Sequence, residues 1–139
     1  MEDYKKMRDR YFFPAIFEVA DDGISIEFPD LSGCLPCGST TEEAINNAKE
    51  AMALHLYAME EDGDPIPEPI EITKLKLADN QFVAMIEAWM PPFRDEMRNK
   101  AVKKTLTIPK WLDDVATEKG VNFSHILQDA LKEYLGINK

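Results

Sequence analysis

Three groups of residues in this 139-residue chain have types and spacings that chemistry could use. The first is Cys34-Leu35-Pro36-Cys37, a C-x-x-C pair. A redox dithiol of this kind needs its first thiol acidified at a helix N-terminus. The next helix start is predicted well downstream, at Thr40, and no thioredoxin-like β-α-β pattern surrounds the pair. A structural zinc would need two further ligands, and the only histidines are His55 and His125. The loop cysteines are therefore read as incidental. The second group is acidic: Glu18 and Glu27 on polar faces of a predicted hairpin, Asp30 just after it, and Glu60, Glu61, Asp62 and Asp64 at a predicted helix end. A metal-dependent nuclease needs several carboxylates converging on one or two divalent ions. Nothing in this spacing forces convergence, and a solvated surface or a patch facing a basic protein is the simpler reading. Gly-rich phosphate loops, G-x-S-x-G and H-E-x-x-H are missing from the sequence. The expectation is a protein that is not an enzyme, with no metal and no cofactor. The third group is Lys103, Lys104, Thr105 and Thr107, whose side chains could donate and accept at base edges and phosphates.

Charge separates these groups. The chain carries 26 acidic and 16 basic side chains, a net of −10. Residues 11 to 90 hold sixteen acids and three bases (Lys49, Lys74, Lys76), a net of −13, which leaves +3 for the rest. Arg98 to Lys110 contains five bases and no acid. A nucleic-acid backbone would be repelled by the first block and attracted to the second. Two modules with different partners follow. The hydrophobic fraction of 45% suits a soluble globular protein. The longest strictly apolar run, Phe82 to Ile86, is far too short to span a membrane. The first ten residues mix both charge signs and show no secretory leader, and two cysteines suit a reducing compartment, so a cytoplasmic location is expected.

The elements that must position these residues are legible. Tyr11 to Val19 places Phe13, Ala15, Phe17 and Val19 on one strand face. Asp21-Asp22-Gly23 marks a turn, and Ile24, Ile26 and Phe28 alternate beyond it, giving an antiparallel hairpin. Pro29 to Gly38 is a loop with a short third strand around Leu35. Thr40 and Glu43 form a capping box for a helix burying Ala44, Ile45, Ala48, Met52, Leu56 and Met59, closed by Gly63. Gln81 to Trp89 is a further strand that Pro91-Pro92 ends. On the reverse of the helix, Leu54 and Tyr57, with Pro65, Ile66 and Pro67 of the following loop, are the apolar contacts expected for a basic partner.

The tail has a different grammar. Lys103 to Ile108 alternates, with Leu106 and Ile108 on one side and Lys103, Thr105 and Thr107 on the other. Pro109 suits a helix start, Leu112, Val115 and Ala116 give that helix an apolar face, and Gly120 ends it. Asn122 caps a second helix that buries Ile126, Leu127, Ala130, Leu131, Tyr134 and Leu135. The amides after Asn122, at Phe123 and Ser124, are open phosphate donors. One strand and two short helices cannot close a core alone, and a lone strand has unpaired edges. Two interlocked copies solve both problems, with Leu106, Ile108, Leu112, Ile126, Leu127 and Leu131 at the dimer interface. The expected organisation is an N-terminal module over residues 1–90, a linker over 91–102 and a DNA-binding module over 103–139.

Phe28-Pro29-Asp30-Leu31-Ser32-Gly33-Cys34, Gly38 and Thr40-Thr41-Glu42-Glu43-Ala44 resemble the HicB-type antitoxins. Tyr11 to Phe17 upstream and Gly63 to Pro69 downstream continue the match in order. The tail from Lys103 to Leu112 looks like the ribbon-helix-helix domain that many members carry. Ser32 stands where a proline is common, and Cys37 is not a family hallmark. The resemblance implies an α+β protein: a degenerate ribonuclease-H-like β-β-β-α-β module followed by a ribbon-helix-helix dimerisation module. It implies two partners, a small basic HicA-type toxin that cleaves messenger RNA and the operator DNA of the operon. The assembly implied is a homodimer, with a tetramer left open, and no membrane contact. The competing readings are a metal-dependent ribonuclease and a ligand-sensing transcriptional repressor.

Overall fold

A computed structural model describes residues 7–138. Residues 1–6, on which the expectation of no secretory leader partly rests, lie outside the described residues. The chain forms two compact units, Met1–Lys100 and Ala101–Lys139.

The first unit is a four-stranded antiparallel sheet in the order β3-β2-β1-β4, with helices on one face. Strand β1 (Arg10–Ala20) pairs with β2 (Gly23–Glu27) through the turn at Asp21-Asp22, with Ala20 opposite Gly23. Strand β3 is only Cys37–Gly38, two residues beyond the expected position at Leu35. Glycine is required there: a Cβ on Gly38 would lie 2.6 Å from the Ala44 amide nitrogen, so the strand passes directly against the start of the helix. Strand β4 (Gln81–Trp89) lies on the other side of β1, pairing from Arg10 opposite Trp89 to Glu18 opposite Gln81. Pro14 sits inside β1 at no cost to this ladder. Its nitrogen faces the side of β1 where β2 pairs only from Ile16 onward.

Helix α1 (Thr41–Asp62) starts as its capping box dictates. The Glu43 amide donates to the Thr40 hydroxyl at 3.1 Å, and the Glu43 carboxylate accepts from the Ser39 amide at 2.7 Å. It ends at Gly63, whose φ of 74° lets the Gly63 and Asp64 amides close onto the carbonyls of Glu60 and Met59. Phe13, Phe17, Phe28, Leu31, Met52 and Leu56 fill the space between sheet and helix. Val19, on the same strand face as Phe17, is exposed at the hairpin end rather than part of the core.

The linker expected over 91–102 is largely a helix. Helix α2 (Met90–Asn99) carries Pro91 and Pro92 in its first turn, where a missing N–H breaks no helical bond. The prolines that end the strand thus begin a helix. Met90 is fully buried, and Phe93 packs edge-on against Tyr57 of α1 with ring centroids 6.1 Å apart.

The second unit contains α3 (Lys110–Glu118) and α4 (Phe123–Leu135). Asn122 caps α4 by accepting from the His125 amide at 3.0 Å, and Gly136 closes it in the left-handed region. The expected strand over Lys103–Ile108 has no ladder within one chain, because a strand exists only beside a partner. No described helix is long and apolar enough to cross a membrane.

Candidate functional site

In the first unit the chemistry gathers where α1 ends. Glu60 lies on the last turn of α1 with a side chain only 3% exposed, a position that would be costly for a lone carboxylate. Arg94 of α2, 11% exposed, answers it with a two-pronged contact: Nε to Oε1 at 2.9 Å and a second guanidinium nitrogen to Oε2 at 2.7 Å. The Tyr11 hydroxyl of β1 donates to the same Oε2 at 3.0 Å, and Arg94 also donates to the Arg8 carbonyl at 2.7 Å. Burial pushes the Tyr11 phenol above its ordinary range, reinforced by the neighbouring Glu60. The hydrogen bond to Glu60 makes the Arg94 guanidinium hold its proton more tightly. This network ties β1, α1 and α2 together. It is structural in character, because each member spends its polar atoms on another.

Above the network opens a cavity of about 1160 Å³. Its lining includes Tyr11 and Glu60 of the network, the loop from Gly63 to Glu68, and the cations Arg8 and Arg98. A smaller hollow of about 550 Å³ flanks the same loop, lined by Asp30, His55, Asp62 and Pro67 among others. The loop is tied down from the far side, where both Asp30 carboxylate oxygens accept from the Ile70 amide at 3.1–3.2 Å. Pro65 and Pro67 are exposed in this acid-flanked loop, while Ile66 packs against the core. Leu54 is exposed on α1. Tyr57 is half-buried against Phe93, a contact invisible without α2.

The remaining acids do not gather. Glu18 accepts from the Gln81 amide group at 3.0 Å, and Glu27 stands exposed opposite Ile16. Among the described residues no three His, Cys, Asp or Glu side chains are grouped to hold a metal ion. Cys34 is buried, Cys37 is exposed, and both are free thiols; burial pushes the Cys34 thiol up.

In the second unit Lys103, Lys104, Thr105 and Thr107 are all exposed in the non-helical stretch before α3. Phe123 and Ser124 are exposed at the capped start of α4. The apolar stripe expected to be buried is open in the single chain. Leu106 is 60% exposed, Ile108, Leu112, Ile126 and Leu131 are exposed too, and only Leu127 is half-buried. Two helices and a single segment have no third layer to cover them.

Residues 13–130 match the sequence model of the family described as HicB-like antitoxin of bacterial toxin-antitoxin system. The chain belongs to that family. This HicB-like antitoxin is 30% identical over 100 residues to a 14.9 kDa protein from the rep-hol intergenic region of Haemophilus phage HP1, covering 72% of this chain and 74% of the phage protein. A toxin-antitoxin complex from Streptococcus pneumoniae contains a similar fold: 27% identity, a TM-score of 0.59, and coverage of 90% of this chain and 99% of that one. The crystal structure of the Burkholderia pseudomallei antitoxin HicB shares the fold at 19% identity, with a TM-score of 0.51 over 90% of this chain and 98% of that one. The α2 helix and the Tyr11–Glu60–Arg94 network escaped sequence reasoning. The available signal was Pro91-Pro92 followed by Phe93 and Arg94, a helix start with an apolar anchor and a cation.

Proposed function

We propose that this HicB-like antitoxin neutralises a small basic HicA-type toxin that cleaves messenger RNA, through its acidic first unit, and represses its own operon through its second. On this reading the first unit is a degenerate ribonuclease-H-like module without nuclease activity, and the second is a ribbon-helix-helix module in a cytoplasmic homodimer. The observation that carries the proposal is the contrast between two compact units. One holds the −13 block; the other leaves most of its apolar stripe exposed behind a basic stretch. The pneumococcal structure, taken from a toxin-antitoxin complex, supports the toxin half.

The acidic surface would accelerate encounter with a basic protein, and apolar contacts would set the lifetime of the complex. Leu54, Tyr57 and the Pro65-Ile66-Pro67 loop are the proposed contacts. In the second unit, pairing of two Lys103–Ile108 segments would make a ribbon that fits the major groove. Lys103, Thr105 and Thr107 would then face base edges, and Leu106 and Ile108 the helices. Lys104 would meet phosphate, as would the amides at Phe123 and Ser124 beyond the Asn122 cap. The test is co-expression with the adjacent reading frame, followed by purification and operator binding. A basic protein of about domain size should co-purify at fixed stoichiometry, and a Lys103/Thr105/Thr107 triple-alanine variant should keep it while losing operator preference in matched salt. Equal operator affinity for variant and wild type would show that the ribbon does not read DNA.

A further inference from the structure

Cys34 and Cys37 belong neither to the network around Glu60 nor to the tail, yet they flank the segment that leads into β3 and the start of α1. Cys34 is buried in the apolar core that also holds Ile26, Phe28 and Leu31, and its amide donates to the Leu31 carbonyl at 3.1 Å. Cys37 is exposed. Between them the chain is extended. Leu35 precedes a proline, which disfavours helical backbone. The Pro36 carbonyl accepts from the Ile26 amide at 2.9 Å, one step beyond the Ser25–Cys37 and Ile24–Gly38 pairs. Residues three apart on an extended chain point to opposite sides, so one thiol is enclosed and the other meets solvent. Three extended steps also set their Cα atoms about 10 Å apart, beyond the roughly 7 Å that a disulfide can span.

This short strand is held from two directions. Toward β2 it has the Pro36–Ile26 bond and the two residue pairs of its ladder. Toward α1 the Cys37 carbonyl accepts from the Asn47 side chain at 2.8 Å, and Gly38 lies against the Ala44 amide with no room for a Cβ. The capping box begins one residue later, where the Ser39 amide donates to the Glu43 carboxylate. A bond between the two thiols therefore cannot close on this fold as it stands. It must draw Cys34 out of the core or lift Cys37 away from β2 and Asn47. A two-residue strand at the end of a sheet opens more readily than the core strands beside it.

We propose that Cys34 and Cys37 are a peroxide-sensitive pair: peroxide oxidises the exposed Cys37, Cys34 closes a disulfide onto it during local opening, and β3 detaches from β2 and from the start of α1. The chemistry balances with peroxide alone. The Cys37 thiolate attacks one peroxide oxygen, the O–O bond breaks, hydroxide leaves, and Cys37 becomes a sulfenic acid. The Cys34 sulfur, losing its proton as it reaches water, attacks the Cys37 sulfur, and the S–O bond breaks to release a second hydroxide. The two thiol protons convert both hydroxides to water. The sulfurs lose two electrons and the peroxide gains them. Enclosure sets the order, because burial keeps the Cys34 thiol protonated while Cys37 stands in solvent. The pair belongs to the first unit, and its chemistry does not depend on the toxin or the operator invoked above.

The test exposes the full chain to hydrogen peroxide and then removes it. Peptide mapping should find Cys34 joined to Cys37, lighter by two hydrogens, in protein that carries no bond between chains. Amide exchange at Ile26, Ser39 and Glu43 should run about tenfold faster or more, while the Val19 amide, held by the Asn80 carbonyl on the β4 side, should keep its rate. Dithiothreitol should restore the original pattern. Cys37→Ser should keep that pattern throughout, and Cys34→Ala should leave Cys37 to proceed to sulfinic acid. The proposal is overturned if Cys37 of the unaltered chain reaches sulfinic acid without a bridge, or if it links two chains instead. It is overturned as well if the bridge forms and the three amides exchange no faster. Equal acceleration in Cys37→Ser would trace the loosening to other oxidised side chains and overturn it too.

Discussion

Removing Arg94 should destabilise the first unit by several times the worth of an exposed ion pair. Arg94→Met keeps an unbranched aliphatic stem and deletes the guanidinium. Glu60, with 3% of its side chain exposed, then keeps only the Tyr11 hydroxyl as a donor. Breaking a buried pair by removing one partner leaves an uncompensated charge and costs about 3–5 kcal/mol. In the double variant Arg94→Met/Glu60→Leu both charges are gone, and an apolar pair of similar volume replaces them. What remains unpaired is the Tyr11 hydroxyl as a donor, for about 1 kcal/mol. The double variant should thus recover at least about 2 kcal/mol relative to Arg94→Met, a coupling that independent sites do not show. Urea titration followed by Trp89 fluorescence, with Trp111→Phe in every chain, isolates the transition of the first unit. A cost below about 1 kcal/mol for Arg94→Met would refute the reasoning, as would a double variant as costly as the two singles combined. The pH dependence has a defined sign. The Tyr11 phenol is raised in the folded state, so its contribution is intact below its ordinary value of 10.0 and is lost as pH rises beyond it. Tyr11→Phe should flatten that alkaline loss.

Further outcomes follow from single residues. Gly38→Ala drives a methyl to 2.6 Å from the Ala44 backbone nitrogen, and should destabilise the first unit by about 1–3 kcal/mol in the same titration; an unchanged midpoint would contradict the close approach of β3 to α1. Leu106→Asp should abolish tail pairing and make the mass in solution fall, with thermal unfolding of the tail no longer dependent on concentration; an unchanged mass and intact DNA binding would place the dimer contact elsewhere. At pH 8 a thiol reagent should modify Cys37 alone, because burial holds the Cys34 thiol above its ordinary value of 9.0. Two equally fast modifications would show that Cys34 is not enclosed.

The sequence was legible wherever one local rule decided the outcome. Thr40 and Glu43 announce α1, Gly63 ends it, Asp21-Asp22-Gly23 turns the hairpin, and Asn122 caps α4; each acts within one turn of chain. The strand-like segment from Gln81 to Trp89, stopped by Pro91-Pro92, likewise marked β4. Where two readings competed, the sequence was silent on the winner. Pro91-Pro92 ends a strand and begins a helix with the same atoms, and only packing of Phe93 on Tyr57 shows the second role. The Glu60–Arg94 pair spans distant elements, so no local spacing could announce it, and by spacing alone Glu60 is one more member of a solvated cluster. The tail shows the converse. Its helices and caps are local, and both are present. The residues expected to form its strand and its core are exposed and non-helical or lie on an open helix face in the single chain.

The central claim is that the acidic unit silences a basic ribonuclease while the tail serves DNA, and one titration addresses it directly. A purified HicA-type toxin cleaves a labelled messenger RNA in the presence of rising amounts of the full chain or of its Lys103/Thr105/Thr107 triple-alanine variant. The account predicts that cleavage stops at a fixed stoichiometric ratio with either protein, and that neither hydrolyses RNA when magnesium is added without toxin. Undiminished cleavage at excess antitoxin would contradict it, as would metal-dependent hydrolysis by the chain alone that disappears in Glu18→Gln, Glu27→Gln or Asp30→Asn.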